Sequence, residues 1–97
     1  MTLVHIVLVK FKPDVEESIR HEALKDVLAL KDHIPSIVKA SAGKNYTDRS
    51  KGYDWGWVVE LESKEDLPAY ASHEAHQDFL TKYKPLFEDV IAVDYEA

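Results

Sequence analysis

The feature that most limits what this chain can become is a set of strand-like segments that are apolar on both sides. Leu3 to Phe11 (LVHIVLVKF) is rich in β-branched residues and ends at Lys12-Pro13, so it reads as a strand. Alternate side chains of a strand face opposite ways. Val4, Ile6 and Leu8 therefore point to one side, and Leu3, His5, Val7, Val9 and Phe11 to the other; both sets are largely apolar. Asp54 to Glu62 sets Trp55, Trp57, Val59 and Leu61 against Val58, and Val90 to Tyr95 sets Val90 and Ala92 against Ile91, Val93 and Tyr95. A sheet with helices on one face and water on the other needs only one apolar face. The second face here calls for another cover.

The intervening segments read as helices and one weaker strand. Pro13 is expected to open a helix, where its missing N–H does no harm. Val15, Ile19, Ala23, Val27, Leu30 and Ile34 then recur every three or four residues, with Leu24 and Leu28 widening the stripe. Ile34-Pro35 stops it. Ile37 to Asn45 is a strand of small residues, and Thr47 to Gly52 is a polar loop. Ser63 followed by Asp66 resembles a capping box and starts a second helix through Leu67 and Tyr70 to about His73. Glu74 to Tyr83 continues helically after a kink, and Lys84-Pro85 interrupts before the last strand.

The order β-α-β-β-α-β predicts an α+β, ferredoxin-like architecture, with one four-stranded antiparallel sheet and two helices on one face. At 97 residues the chain suits a single domain over 1–97. Its helices suffice for one sheet face. A second copy, joined sheet face to sheet face as an isologous homodimer, is the simplest cover for the other.

Composition removes several function classes. There is no cysteine, hence no disulfide framework, thiolate nucleophile or Cys-ligated zinc. The net charge is −6, and the twelve Lys and Arg are scattered among acids, which argues against nucleic acid as a partner. No apolar stretch is long enough to span a bilayer and no basic-then-apolar signal segment opens the chain, so a membrane is not expected and the cytoplasm is the expected compartment. The only glycines are Gly43, Gly52 and Gly56, so phosphate-cradling loops and a Gly-x-Ser-x-Gly elbow are absent.

The candidate chemistry lies in the histidines. His21 and His33 fall on the polar side or the end of the first helix and read as solvated or capping residues. His5 sits mid-strand among apolar neighbours, either as a satisfied core residue or as a hydrogen-bonder lining a pocket. Tyr70-Ala-Ser-His73-Glu-Ala-His76 is the densest polar cluster. If the helix runs on, His73 and His76 share a side; if it bends, Tyr70 can approach His76. A phenol and an imidazole together can hold a carbonyl and remove a proton. The residues equally allow Tyr70 to pack its ring, His73 to cap a helix and His76 to sit half exposed. His73 and His76 with Glu74 or Asp78 make a weak metal set lacking a fixed third ligand, and a haem has no more support, so no cofactor is expected.

With these residues in view, the sequence resembles the stress-responsive A/B barrel (Dabb) family of small dimeric α+β barrels. The likeness rests on His5 within VHIVLVKFK, the Ile34-Pro35 helix end, Gly52-Tyr53 before the third strand, the His73-Glu-Ala-His76 segment with Phe79, and the closing Val93-Asp94-Tyr95. Glu74 stands where the family usually has proline. The resemblance implies a homodimer and a small-molecule pocket between sheet and helices. By likeness to polyketide cyclases of this family, His76 would be the general base of a cofactor-free, lyase-type ring closure on an enolisable substrate. Tyr70 would hold a carbonyl and His5 would be the strand-one pocket histidine. The pocket would be lined by His5, Val7, Leu24, Val27, Leu28, Trp55, Trp57, His73 and Phe79. Trp55 and Val27 fall where such a cyclase carries a histidine and a tyrosine, implying a more apolar, differently shaped pocket that Trp55 could fill outright. The other reading is a non-catalytic, stress-associated or ligand-carrying dimer.

Overall fold

A computed structural model describes residues 1–97. Four strands, β1 (Leu3–Phe11), β2 (Ile37–Lys44), β3 (Trp55–Leu61) and β4 (Phe87–Glu96), form one sheet in the order β2-β3-β1-β4. Every neighbouring pair is antiparallel. The helices are α1 (Glu17–Ala29), α2 (Leu67–Ser72) and α3 (Glu74–Tyr83), with short 3₁₀ turns at Leu30–Asp32, Lys64–Asp66 and Lys84–Leu86. This is the ferredoxin-like arrangement expected from the element order, with the second helix divided in two.

Pro13 does not open α1. It occupies the second position of a turn in which the Val15 N–H donates to the Lys12 carbonyl at 3.1 Å. Proline is equally suited to that position, because its fixed φ matches the turn. Arg20 secures the corner by donating to the Val15 and Lys12 carbonyls at 2.9 and 3.1 Å. The helix therefore begins four residues later than its proline suggests. At the start of the second helical segment, the Ser63 N–H and hydroxyl both donate to the Asp66 carboxylate, at 3.2 and 3.1 Å, so the capping box forms with Asp in the usual Glu place.

The two faces of the sheet separate by register. Leu3, Val7, Val9 and Phe11 of β1 stand beside Trp55, Trp57, Val59 and Leu61 of β3, and all of them are buried under Ala23, Val27 and Leu30 of the α1 region and Phe79 and Tyr83 of α3. On the opposite face Val4, Ile6 and Leu8 pair with Tyr95, Val93 and Ile91. There Leu8, Ile91, Val93 and Tyr95 remain 39 to 49% exposed, a contiguous apolar surface that the helices do not reach.

Candidate functional site

The site starts at a helix break. α2 ends at Ser72, and His73 adopts an extended ψ of 138° before α3 begins at Glu74. A break leaves the first N–H groups of α3 and the last carbonyls of α2 without helical partners. His73 answers the first need: its Nδ1 accepts the Ala75 N–H at 3.1 Å. His76 and Gln77 answer the second, both approaching the Ala71 carbonyl, at 3.0 and 2.6 Å. Glu74 at the first position of α3 also places a negative charge where the helix dipole favours one. The break thus forms without a proline at residue 74.

The break turns His73 and His76 apart. His73 faces its own helix as a cap, while His76 enters a cavity of about 220 Å³ between β1, β4 and α2–α3. Its ring centroid lies 4.6 Å from that of Tyr70, and Tyr70 meets His5 edge to face at 5.7 Å. His5, Tyr70 and His76 therefore line one cavity together with Val7, Val27, Trp57 and Phe79. The remaining wall is Leu80, Lys84, Phe87, Val90 and Ala92.

Four other expected lining residues lie elsewhere. Leu24 is buried nearer the start of α1, and Leu28 points outward, 40% exposed. His73 lines a separate, more open recess of about 460 Å³ between the end of α1 and α3. In that recess Asp26 already accepts from Lys82, at 3.4 Å, and from the Tyr83 hydroxyl. Trp55 sits at the far end of the sheet, packed edge to face on Phe11 and His21 with the Lys44 ammonium 5.3 Å from its ring. It does not fill the cavity.

The role of Asp94 as the partner of His5 escaped the sequence reading, which had it only within the closing Val93-Asp94-Tyr95. β4 pairs with β1 so that Asp94 stands directly opposite His5. The His5 Nδ1–H donates to the Asp94 carboxylate at 2.5 Å, which fixes the ring and leaves Nε2 as its other hydrogen-bonding atom. The one available signal was an acid within the otherwise apolar VIAVDY run. Nothing local joins residue 94 to residue 5.

Electrostatics assign a protonation state to the pair at the centre. A carbonyl only accepts, so the His76 Nδ1 bonded to Ala71 carries the proton and Nε2 holds the free lone pair. Burial holds His76 below its ordinary pKa of 6.5; the Ala71 bond opposes that shift and nearby His5 adds to it. His76 is therefore neutral at pH 7. Burial, with a smaller contribution from the Asp94 charge, pushes Tyr70 up to about 12, so its hydroxyl stays protonated. That hydroxyl bonds to no protein group, and Tyr70 lines the cavity while only 1% exposed. The result is a neutral imidazole and a neutral phenol facing an apolar space. No three His, Asp or Glu side chains converge as a metal-binding group.

Known proteins share this fold and match this sequence along its length. The chain is 30% identical to olivetolic acid cyclase from Cannabis sativa over 97 residues, covering 98% of this chain and 96% of that protein. Hydroxynitrile lyase from Passiflora edulis has the same fold, with a TM-score of 0.89 at 17% identity, covering 97% of this chain and 91% of that one. So does a dimeric ferredoxin-like protein of unknown function from Bacteroides fragilis, with a TM-score of 0.81 at 25% identity and coverage of 99% and 96%. The Stress responsive A/B Barrel Domain matches residues 3–97. The whole-length match to the family and the shared fold lead to one conclusion: the chain belongs to the Stress responsive A/B Barrel Domain family.

Proposed function

We propose that this protein is a homodimer, joined through the sheet face, whose cavity carries out cofactor-free proton abstraction from a small, polyketide-like ketone. The observation that carries the catalytic reading is the close, tilted Tyr70–His76 ring pair, with His76 Nδ1 anchored on the Ala71 carbonyl. His76 Nε2 takes a proton from the carbon beside the substrate carbonyl. The Tyr70 hydroxyl donates to that carbonyl as its oxygen becomes an enolate. In ring closure the enolate carbon then attacks a second carbonyl of the substrate, and protonated His76 returns its proton to the alkoxide formed there. A neutral base near pH 7 and a neutral donor at the developing oxyanion are what such a step requires. Ligand pockets commonly enclose roughly 300–1,000 Å³. At about 220 Å³ this cavity holds the reacting part of a small molecule.

The dimer reading is supported by the half-exposed apolar row of Leu8, Ile91, Val93 and Tyr95, and by dimeric proteins of the same fold. The likeness to olivetolic acid cyclase supports enolate chemistry over other uses of the same cavity.

The test is hydrogen exchange in D₂O. 2-Heptanone is incubated with the protein, loss of its C–H signals beside the carbonyl is followed by ¹H NMR, and binding is read separately from the His76 ring signals. General acid–base catalysis predicts exchange about 10²- to 10⁴-fold faster than with His76→Asn. If 2-heptanone shifts the His76 signals yet exchanges no faster than with the variant, the catalytic reading fails and a ligand-carrying dimer stands in its place.

A further inference from the structure

The cavity has one fully charged side chain on its wall, and that charge is unpaired. Lys84 follows the last residue of α3, lines the cavity and is exposed to solvent. The ion pairs of the chain engage Lys44, Lys64 and Lys82 and two histidines; Lys84 is in none of them. Nine of the twelve lining residues are hydrophobic, and the acid nearest the interior, Asp94, is held by His5. The protein as a whole carries a net charge of −6, so its general field repels anions.

We propose that Lys84 selects substrates bearing a carboxylate, so that the cavity takes short oxo acids with the acid group at the mouth and the ketone between Tyr70 and His76. This rests on the cavity being the ligand site, as argued above, and adds the substrate class. An ionised carboxylate cannot enter the apolar interior without a large desolvation penalty. It can stop at the rim, where a flexible ammonium meets it as a point charge while the carbon chain runs inward. The ketone is then delivered to the neutral pair, and the ligand binds in one orientation.

The experiment titrates the protein with 4-oxooctanoate and, separately, with its methyl ester, following the ring signals of His5 and His76 by NMR. A solvent-exposed ion pair is worth little, so the expected preference for the acid is modest, about fivefold in Kd. Lys84→Gln should bind acid and ester equally, Lys84→Arg should restore the preference, and raised salt should erase it in the wild type. If the acid is preferred equally by wild type and Lys84→Gln, or if the ester binds as well as the acid to the wild type, the selection by Lys84 is overturned while the cavity remains a ligand site. If neither compound moves the His5 or His76 signals, both this inference and the ligand-site reading fall.

Discussion

Val93→Asp tests the dimer where its energetics are most readable. Val93 lies on the face away from the helices, in register with Ile6, and is 48% exposed. On the surface of a monomer such a change is worth within about 0.5 kcal/mol. Between two sheets the arithmetic differs. Completing the burial of a half-exposed valine contributes about 1 kcal/mol. Placing an unpaired carboxylate in the same position costs at least about 2 kcal/mol even after local relaxation. Two-fold symmetry applies both terms in each protomer, giving about 6 kcal/mol per dimer and a Kd weakened by about 10⁴-fold. Sedimentation velocity from low to high micromolar concentration should show wild type at twice 11.1 kDa and the variant at 11.1 kDa. Lys25→Asp, on the exposed side of α1, changes charge without touching this face and should stay dimeric. The wild-type Tm should rise with concentration and that of Val93→Asp should not. A Val93→Asp protein that remains dimeric with unchanged far-ultraviolet circular dichroism would refute the sheet-face argument, as would a wild type that sediments as a monomer.

Other outcomes follow from individual contacts. Tyr70→Phe keeps the ring against His76 and removes the donor, so 2-heptanone exchange should fall about 10²-fold with little change in binding. Because His76 titrates below 6.5, exchange should rise with pH along a limb lying below the ordinary histidine range and be flat by pH 7; a midpoint at or above 6.5 in the free protein would contradict its burial. The same shift bears on stability. The folded state binds this proton less readily than the unfolded chain, so the contribution is present above pH 6.5 and is lost as pH falls through the lowered value. His73→Ala removes the α3 cap at a cost of about 1 kcal/mol, seen as a Tm lower by about 4–8 °C. Leu61→Ala, in the fully buried core, should cost about 2–5 kcal/mol in urea unfolding, and a smaller loss would mean that the helices collapse onto the vacancy.

The fold was legible because its main signal is local. Alternation along β1 and β3 assigns faces one strand at a time, and the observed registers carry those assignments across the sheet. Signals with two local meanings were ambiguous. A proline suits the first turn of a helix and the second position of a turn, and only Arg20, reaching back to two carbonyls, selects the turn for Pro13. Leu24 and Leu28 lie on one stripe by spacing, yet the helix meets the sheet along a narrower line and leaves Leu28 outside. Trp55 and Trp57 share a face by alternation, but the one sits beside His21 of α1 and the other beside Phe79 of α3, so only Trp57 reaches the cavity. The His5–Asp94 contact depends on β4 lying beside β1, which no local pattern states.

The break at His73 shows most clearly why spacing alone could not define the site. Were the helix continuous, His73 and His76 would be an i, i+3 pair on one side, a geometry better suited to sharing a ligand than to dividing tasks. Extending the backbone at one residue changes both roles. His73 is spent on capping α3, and the Ala71 carbonyl, freed from its helix, becomes the acceptor that fixes the His76 tautomer. The same step brings His76 onto the Tyr70 ring, because α3 leaves α2 at a new angle. The position that marks this in the sequence is Glu74, an acid at the first residue of a new helix rather than the interior of an old one. Glu74→Gly, which weakens the start of α3, should therefore disturb the His76 ring signals more than those of His5, whose ring is held independently by Asp94. Equal disturbance of both would mean that the two histidines are positioned by one structure and not by two.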